Sequence, residues 1–283
     1  MVYYRLCRFF LFRDKRGNNE RELFAKAERN KTIDITIEEG QDYLNRCVLV
    51  CRSTDILVVL DKTIIGDMFS VASLLLKNFV DLLIVDPSYN LDKDFRGSKH
   101  KKTSDNIYEQ YTDSWINTIQ PLLKNNATIY VCCDWQSSAL IGRVLSYNVA
   151  ERKGRGALNN WKNGMEDIWF ATNSKVYAFN IDNVKTRRKV IAPYKVEGKP
   201  KDWEETKDGN FRNTYPSNFW DDISIPYWWM PENTERPTQK PKKLLAKLIL
   251  ASSNKGDVVL DPFLGAGTTF VTAKKITTAL CRD

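Results

Sequence analysis

The chain has 283 residues, 42% of them hydrophobic and 28% charged, which is enough for one large globular domain with an insertion. No apolar run approaches the ~20 residues of a membrane span, and Arg5 and Arg8 interrupt the aromatic start, so we expect neither a membrane anchor nor a secretory signal. Lys and Arg outnumber Asp and Glu by 43 to 35, and the net charge of +8 suits a polyanionic partner. With scattered cysteines and one histidine, His100, no metal site is expected.

Residues 1–61 are interpreted as an N-terminal extension of unclear role, because they contain no motif. We predict a helix from Asn19 to Arg29 and strands at Val48–Cys51 and Ile56–Leu60. A strand–helix–strand unit is predicted next. Its parts are a short strand at Thr63–Asp67, an amphipathic segment at Phe69–Leu76 and a buried strand at Asp81–Val85.

The second strand of this unit stops at Asp86, Pro87, Ser88 and Tyr89. In an open α/β sheet, ligands bind in the crevice outside the carboxyl ends of the strands. A carboxylate, a rigid turn and an aromatic side chain at that place therefore indicate a site. Taken alone, however, the four residues favour an ordinary Asp-Pro turn with Tyr89 packed in the core.

The middle of the chain is predicted to alternate helix, strand and basic loops. A polar, basic loop is expected at Leu91–Ser104, and apolar residues recur at helical spacing from Tyr108 to Leu123. Strands are predicted at Ala127–Cys133 and Ile168–Ala171. Between these strands lies a glycine-rich run with three basic residues, Arg152, Lys153 and Arg155.

Residues 185–235 lose both the helical and the strand periodicity and are rich in Lys, Arg, Trp, Tyr, Asn and Pro. Basic groups such as Lys185, Arg187 and Arg188 could hold phosphates there, while polar side chains read base edges. An irregular surface loop is the alternative interpretation.

The last part, residues 236–283, carries two more motifs. The first is Pro237-Thr238-Gln239-Lys240-Pro241, which precedes a predicted helix with one leucine-rich face. The second is a strand at Val258–Leu260 followed by Asp261-Pro262-Phe263-Leu264-Gly265-Ala266-Gly267-Thr268-Thr269. Its glycines allow a ligand to approach the backbone closely, and a threonine can cap the next helix, whose free amide groups favour an anion.

Together these motifs resemble those of the β class of DNA amino-methyltransferases, in which the catalytic motif precedes the cofactor loop. That family carries Asp-Pro-Pro-Tyr, Pro-Thr-Gln-Lys-Pro and Asp-Pro-Phe-x-Gly-x-Gly-Thr-Thr, and the resemblance covers about Lys62 to Lys275. It implies an α/β fold, a Rossmann-like doubly wound sheet with an inserted target-recognition region. Residues 62–184 would be the catalytic half, residues 185–235 the insert and residues 236–283 the cofactor-binding half.

The resemblance also implies an activity: transfer of a methyl group from S-adenosyl-L-methionine to N6 of a flipped adenine in double-stranded DNA. Aspartate at the first motif position is the form that the family mostly uses for adenine, and cytosine N4 is the alternative. The implied setting is a bacterial restriction–modification system, in the cytoplasm and at the nucleoid. A cognate restriction endonuclease is a further partner to consider, and the protein would be a monomer or a homodimer.

Site residues follow from the motifs. The implied catalytic residues are Asp86, Pro87 and Tyr89. The implied cofactor-binding residues are Asp67, Thr238, Lys240, Asp261, Phe263, Gly265, Gly267, Thr268 and Thr269. The implied DNA-binding residues are Arg152, Lys153, Arg155, Lys185, Arg187 and Arg188. Two of these have a simpler interpretation: Asp67 could cap a helix, and Lys240 could be a solvent-facing lysine of the first helical turn.

The chain departs from the family pattern at three places. Ser88 replaces the second proline of the catalytic motif, and Arg236 stands where the family often has histidine. The family continues past the cofactor helix into a strand that ends in a ribose-binding acid, whereas this sequence stops at Asp283. The shortened cofactor half leaves an inactive DNA-binding remnant as an alternative to an active enzyme.

Overall fold

A six-stranded mixed sheet with helices on both faces forms the centre of the protein. The computed structural model describes residues 30–33, 35–95, 98–143, 147–152, 165–191, 194–234, 236 and 238–280. The helices are α1 (Ile37–Asn45), α2 (Ile56–Val59), α3 (Met68–Ala72), α4 (Asp105–Ile119), α5 (Trp135–Gly142), α6 (Lys242–Ser252) and α7 (Thr268–Leu280). Short 3-10 turns lie at Gln120–Leu122 and Ile181–Val184.

The strands fall into one large sheet and several small ones. They are β1 (Val48–Leu49), β2 (Ile64–Ile65), β3 (Val80–Val85), β4 (Lys93–Phe95), β5 (Ser98–His100), β6 (Leu123–Cys133), β7 (Tyr147–Arg152), β8 (Met165–Thr172), β9 (Thr186–Lys189), β10 (Lys195–Val196), β11 (Lys199–Pro200), β12 (Glu204–Thr206), β13 (Gly209–Thr214), β14 (Phe219–Trp220) and β15 (Val259–Leu260). The large sheet has the order β14-β7-β8-β6-β3-β15.

Strand direction decides which residues meet at one edge of this sheet. Strands β15, β3 and β6 are parallel, β8 runs antiparallel to β6, and β7 and β14 run with β6. The carboxyl ends of β3, β6 and β15 therefore lie at the same edge as the amino end of β8. This edge is where a doubly wound sheet binds its ligands.

Both faces of the central strands are buried, as expected for parallel strands between helical layers. Along β3, Leu83 and Val85 pack with Trp115 and Ile119 of α4 on one face. Leu82 and Ile84 pack on the other face with α6, through a second buried group, namely Leu244, Leu245, Leu248 and Ile249. The predicted Rossmann-like α/β fold is thus confirmed, and so is the apolar face of the helix after Pro241.

Several local predictions need correction or lie outside the described residues. Ile56–Val59 is a helix instead of a strand, because the Asp55 side chain caps it by accepting a hydrogen bond from the Leu57 amide at 2.8 Å. Strand β2 pairs with β1 and not with β3, so the predicted strand–helix–strand unit does not form within one sheet. The predicted helix at Asn19–Arg29 lies outside the described residues.

The predicted insert, residues 185–235, contains more regular structure than its sequence pattern indicates. Strands β9, β13 and β12 form an antiparallel sheet, and β14 joins the large sheet beside β7. The insert is held to α6 by Asp222, which lies 2.6 Å from Lys243 Nζ. Within the described part of the chain, no helix is long and apolar enough to cross a membrane.

Candidate active site

Asp86 and Tyr89 stand at the carboxyl end of β3, on the ligand-binding edge of the sheet. The Tyr89 hydroxyl lies 2.8 Å from Asp86 Oδ1 and 2.5 Å from Glu166 Oε1. The Asp86 side chain remains 27% exposed, so its carboxylate is reachable from solvent. Pro87 is buried behind it, whereas Ser88 is exposed. Tyr89 is thus part of a polar cluster and does not simply fill the core.

Glu166 is the functional residue that the sequence analysis missed. It stands near the amino end of β8, one residue beyond the Cys133–Asp167 pair, and its side chain is only 1% exposed. Because β8 is antiparallel to β6, this amino end lies at the same edge as Asp86. The sequence does show an acidic residue just before the predicted strand Ile168–Ala171. This residue lies at the edge that carries Asp86 only if the strand runs antiparallel to β6, and the sequence does not give that direction.

Lys240 reaches into the same cluster from the segment before α6. Its Nζ lies 2.9 Å from the Tyr89 hydroxyl, 2.9 Å from Glu166 Oε1 and 3.1 Å from Asp86 Oδ1. The side chain is only 10% exposed, so the interpretation of Lys240 as a solvent-facing lysine is wrong. A lysine has three N–H donors, and three acceptors surround this one. Its predicted role in cofactor binding stays a prediction.

The electrostatics of this cluster follow from its burial. Desolvation raises the pKa of Tyr89 well above its ordinary value, and the neighbouring Asp86 and Glu166 charges raise it further. Tyr89 is therefore a neutral hydroxyl at any physiological pH. With both carboxylates and Lys240 ionised, the formal charges of the cluster sum to −1. Asp86 and Glu166 thus place carboxyl oxygens, which are hydrogen-bond acceptors, at this edge of the sheet.

The turn from Asp261 to Thr269 follows β15, which is paired with β3. Gly265 and Gly267 have positive φ angles of 58° and 74°, which side chains rarely adopt, so the glycines are required by the backbone. The Phe263 ring packs edge-on against Trp115 with the centroids 6.0 Å apart. Thr268 begins α7 and, like Thr269, is buried. The turn is thus anchored in the core at both ends.

Asp261 is the titratable group of this turn. Burial raises its pKa to about 7, against hydrogen bonds from Thr269 and the Phe263 amide that lower it. The charge of Asp86 also raises the pKa of Asp261. The ends of β3 and β15 therefore bring two carboxyl groups close enough to interact, one from each predicted motif.

The Pro237–Pro241 motif connects these parts. Arg236 donates a hydrogen bond to the Gly265 carbonyl at 2.9 Å. Gln239 is buried, and its Oε1 accepts from the amide and the hydroxyl of Thr234, each at 2.8 Å. These bonds fix the backbone just before Lys240. Thr238 is exposed, and its predicted contact with the cofactor stays a prediction.

A cavity of about 890 Å³ lies along β15 and the turn. Its lining includes Gly66, Asp261, Leu264 and Thr269. Asp67 beside it caps α3, since its Oδ1 accepts from the Ser70 amide and hydroxyl, each at 3.1 Å. Asp67 is therefore a helix cap in the structure, and its predicted contact with the cofactor stays a prediction. Within the described residues, no group of His, Cys, Asp and Glu could hold a metal ion.

A model of the DNA methylase family N6_N4_Mtase matches residues 80–278 of this chain. The chain belongs to that family. The resemblance to the β class of amino-methyltransferases is thereby confirmed.

The chain is similar to two bacterial methyltransferases. The type II methyltransferase M.HpaI of Haemophilus parainfluenzae is 30% identical over 203 residues, which cover 68% of this chain and 60% of M.HpaI. The DNA adenine methyltransferase YhdJ of Escherichia coli (strain K12) is 30% identical over 227 residues, which cover 74% of this chain and 73% of YhdJ. The chain therefore spans about 60% of the length of M.HpaI.

Among solved structures, the fold resembles the cytosine-N4-specific PvuII DNA methyltransferase. The TM-score is 0.53 at 15% identity, over 75% of this chain and 77% of the PvuII chain. At this identity the likeness concerns the fold alone, and it agrees with the methyltransferase architecture described above.

The DNA-binding residues predicted for this family member lie on two segments. Arg187 and Arg188 are exposed on β9, where Arg187 lies 3.3 Å from Glu204 and over the Phe211 ring. Lys185, just before β9, lies 2.6 Å from Asp182. Arg152 ends β7, and its side chain is outside the described structure, as are the whole of Lys153 and Arg155. Contact of these residues with DNA stays a prediction.

Proposed function

We propose that the protein is a DNA methyltransferase that transfers the methyl group of S-adenosylmethionine to N6 of adenine. The observation that carries this proposal is the pairing of β3 with β15, which sets Asp86 beside the Asp261–Thr269 turn. One motif supplies acceptors for an amine, and the other supplies a backbone turn for a ligand. Family membership supports DNA as the substrate.

The residues of the turn fit the proposed cofactor. A cavity of about 890 Å³ falls within the size range of small-molecule sites. Gly265 and Gly267 adopt positive φ angles in the turn beside it, and the amino end of α7 follows directly. When bound, S-adenosylmethionine supplies an electrophilic methyl group on a cationic sulfur. Asp261 and the net charge of the Asp86 cluster would favour that cation.

The chemistry requires the target amine to become a nucleophile, although its lone pair is delocalised into the ring. Asp86 and the Pro87 carbonyl would accept its two hydrogens and localise the lone pair. The Tyr89 hydroxyl bonds to Asp86 Oδ1, and the 3.1 Å contact of Lys240 is with the same oxygen, so Oδ2 would be the oxygen that accepts from the amine. Asp86 would also accept the proton that the amine loses on transfer and pass it to solvent.

Tyr89 would stack on the target base. Its hydroxyl is fixed by Asp86 and Glu166, which holds the ring at the edge of the sheet. Lys240 Nζ lies 2.9 Å from the Tyr89 hydroxyl and 5.4 Å from the ring centroid, so it stands at the hydroxyl end of the ring and not over a face on which a base would stack. A paired base cannot enter such a site, and flipping it costs a few kcal/mol, which stacking and phosphate contacts offset.

Two observations support adenine and a modification system. YhdJ is named an adenine methyltransferase, and Asp86 is the residue typical of adenine-specific members of the family. M.HpaI and M1.MboII of Moraxella bovis are named type II methyltransferases. A restriction–modification role with a cognate endonuclease is therefore part of the proposal.

The test is to incubate the protein with unmethylated genomic DNA and isotope-labelled S-adenosylmethionine, followed by mass analysis of the digested nucleosides. Label in N6-methyladenosine is the expected result. Label in N4-methylcytidine would overturn adenine as the target base, while the proposed methyl transfer to an exocyclic amine of DNA would stand. A folded protein that transfers no label, while a control methyltransferase does, would overturn the proposed activity and favour the inactive remnant.

A further inference from the structure

Glu166 is a buried carboxylate that contacts two residues of the candidate site, Tyr89 and Lys240. One oxygen, Oε1, faces both the Tyr89 hydroxyl and Lys240 Nζ. Burying an ionised carboxylate is costly unless a charge and hydrogen bonds compensate it. A hydrophobic residue at the start of β8 would avoid this cost. The position of Glu166 therefore needs an explanation other than stability.

Lys240 offers that explanation, because it stands between two carboxylates. Its Nζ is 2.9 Å from Glu166 Oε1 and 3.1 Å from Asp86 Oδ1. The ammonium is thus shared and is not committed to Asp86. Without the Glu166 charge, Asp86 would be its remaining carboxylate partner in the described cluster. Lys240 would then bind Asp86 more tightly and compete with the target amine for that carboxylate.

The charge count leads to the same expectation. With Glu166 ionised, the cluster carries a formal charge of −1; without it, the cluster is neutral. Methyl transfer from a sulfonium to an amine moves positive charge toward Asp86, so a negative cluster stabilises the transition state. The loss should affect turnover more than cofactor binding, because Glu166 does not line the cavity along β15.

We propose that Glu166 is a positioning residue that holds Lys240 between Asp86 and Tyr89, so that Tyr89 stays fixed and Asp86 keeps Oδ2 for the amine. This inference rests on the proposed function, since it concerns the same transfer step. In this proposal Glu166 contacts neither the substrate nor the cofactor, and it acts through Lys240 and Tyr89.

The experiment compares wild type with Glu166→Gln, Glu166→Asp, Lys240→Met and the double variant Glu166→Gln/Lys240→Met in the labelled-methyl assay. Glu166→Gln keeps the shape and the acceptor but removes the charge. We expect kcat to fall by about ten- to a hundredfold, in the range of coupling between contacting charged groups. The KM for S-adenosylmethionine should stay within about threefold. Glu166→Asp, which restores the charge, should recover part of the lost kcat.

The double variant separates positioning from folding. It removes both partners of the buried Lys240–Glu166 ion pair, so neither is left charged without the other, and it should fold even where a single variant does not. If Glu166 acts through Lys240, the fold-decrease of kcat in the double variant should be smaller than the fold-decreases of the two single variants multiplied together. Where a single variant is unfolded, kcat of the folded double variant should still be below that of wild type. Wild-type kcat in either Glu166→Gln or the double variant would overturn the inference. Inactive wild type would instead overturn the proposed function, so the two failures are distinct.

Discussion

Arg236 Nη1 donates a hydrogen bond to the carbonyl oxygen of Gly265 at 2.9 Å, across 29 residues of sequence. The bond ties the segment before α6 to the turn between β15 and α7. Both elements carry residues predicted to bind the cofactor. Arg236 stands where the family often has histidine, and its contact with Gly265 indicates that it supports the shape of the turn.

Removing this contact should weaken cofactor binding. We expect Arg236→Ala to raise the Kd for S-adenosylmethionine about three- to tenfold, the range for loss of one partly exposed charged hydrogen bond. The melting temperature should hardly change, since Arg236 is exposed. Calorimetric titration measures the Kd, and Arg52→Ala, which alters an exposed arginine elsewhere, is the matched control. Equal affinities for the two variants would show that the turn does not need Arg236.

Asp86 is expected to be indispensable for transfer and dispensable for cofactor binding. Asp86→Ala removes the acceptor for the amine, so single-turnover methylation should fall by at least about 10²- to 10⁴-fold, the usual contribution of such a group. The Kd for S-adenosylmethionine should change by no more than a few-fold, because the turn after β15 is untouched. Ser88→Ala, at the exposed neighbouring position, should retain activity. Turnover of Asp86→Ala at the wild-type rate would refute the assignment.

Asp261 should make cofactor binding depend on pH. Its pKa is raised to about 7 in the folded protein, from an ordinary value of 3.8. Between these values the folded chain binds a proton that the unfolded chain has released, so the contribution of Asp261 to stability is full at low pH and is lost as pH rises through 7. A cationic ligand needs the ionised carboxylate, so its binding should strengthen over the same range.

We therefore expect the Kd for S-adenosylmethionine to fall about tenfold between pH 6 and pH 8 through this group, as linkage requires for a pKa near 7. The ligand itself has an amino group that titrates, so the relevant quantity is the difference between wild type and Asp261→Asn. In Asp261→Asn, the Kd for S-adenosylmethionine should no longer show the change with pH that Asp261 causes in wild type. Parallel curves for the two proteins would mean that Asp261 is not linked to binding.

Local patterns of the sequence predicted the elements on which the site is built. The apolar run before Asp86 forms β3, the aromatic stripe from Tyr108 forms α4, and the leucine face after Pro241 forms α6. These features repeat at the period of one helix or strand, so neighbouring residues suffice to predict them. The residues of the three motifs indicated the family, and the order of the motifs along the chain supports the same assignment.

Tertiary arrangement decided the rest. Glu166 was not predicted, because its distance from Asp86 depends on the antiparallel direction of β8. Lys240 left two interpretations open, since its spacing from α6 does not say whether the side chain enters the cluster or faces solvent. The short helix at Ile56–Val59 was predicted as a strand because β-branched residues dominate it, while the cap at Asp55 overrides that preference.

The two exposed arginines of β9, Arg187 and Arg188, are expected to bind DNA phosphates. Arg187 and Arg188 are exposed on a small antiparallel sheet of the predicted insert. If each arginine neutralises one phosphate, the double variant Arg187→Ala/Arg188→Ala should lower the slope of log affinity against log salt by about 2 and weaken binding similarly for all sequences. Fluorescence anisotropy with a labelled duplex at several salt concentrations measures both. The control is Lys77→Ala. Lys77 is an exposed lysine at the opposite edge of the large sheet, so this variant removes a positive charge that is not predicted to contact DNA. A slope unchanged in the double variant would exclude β9 from the DNA interface, because loss of a phosphate contact must reduce counterion release.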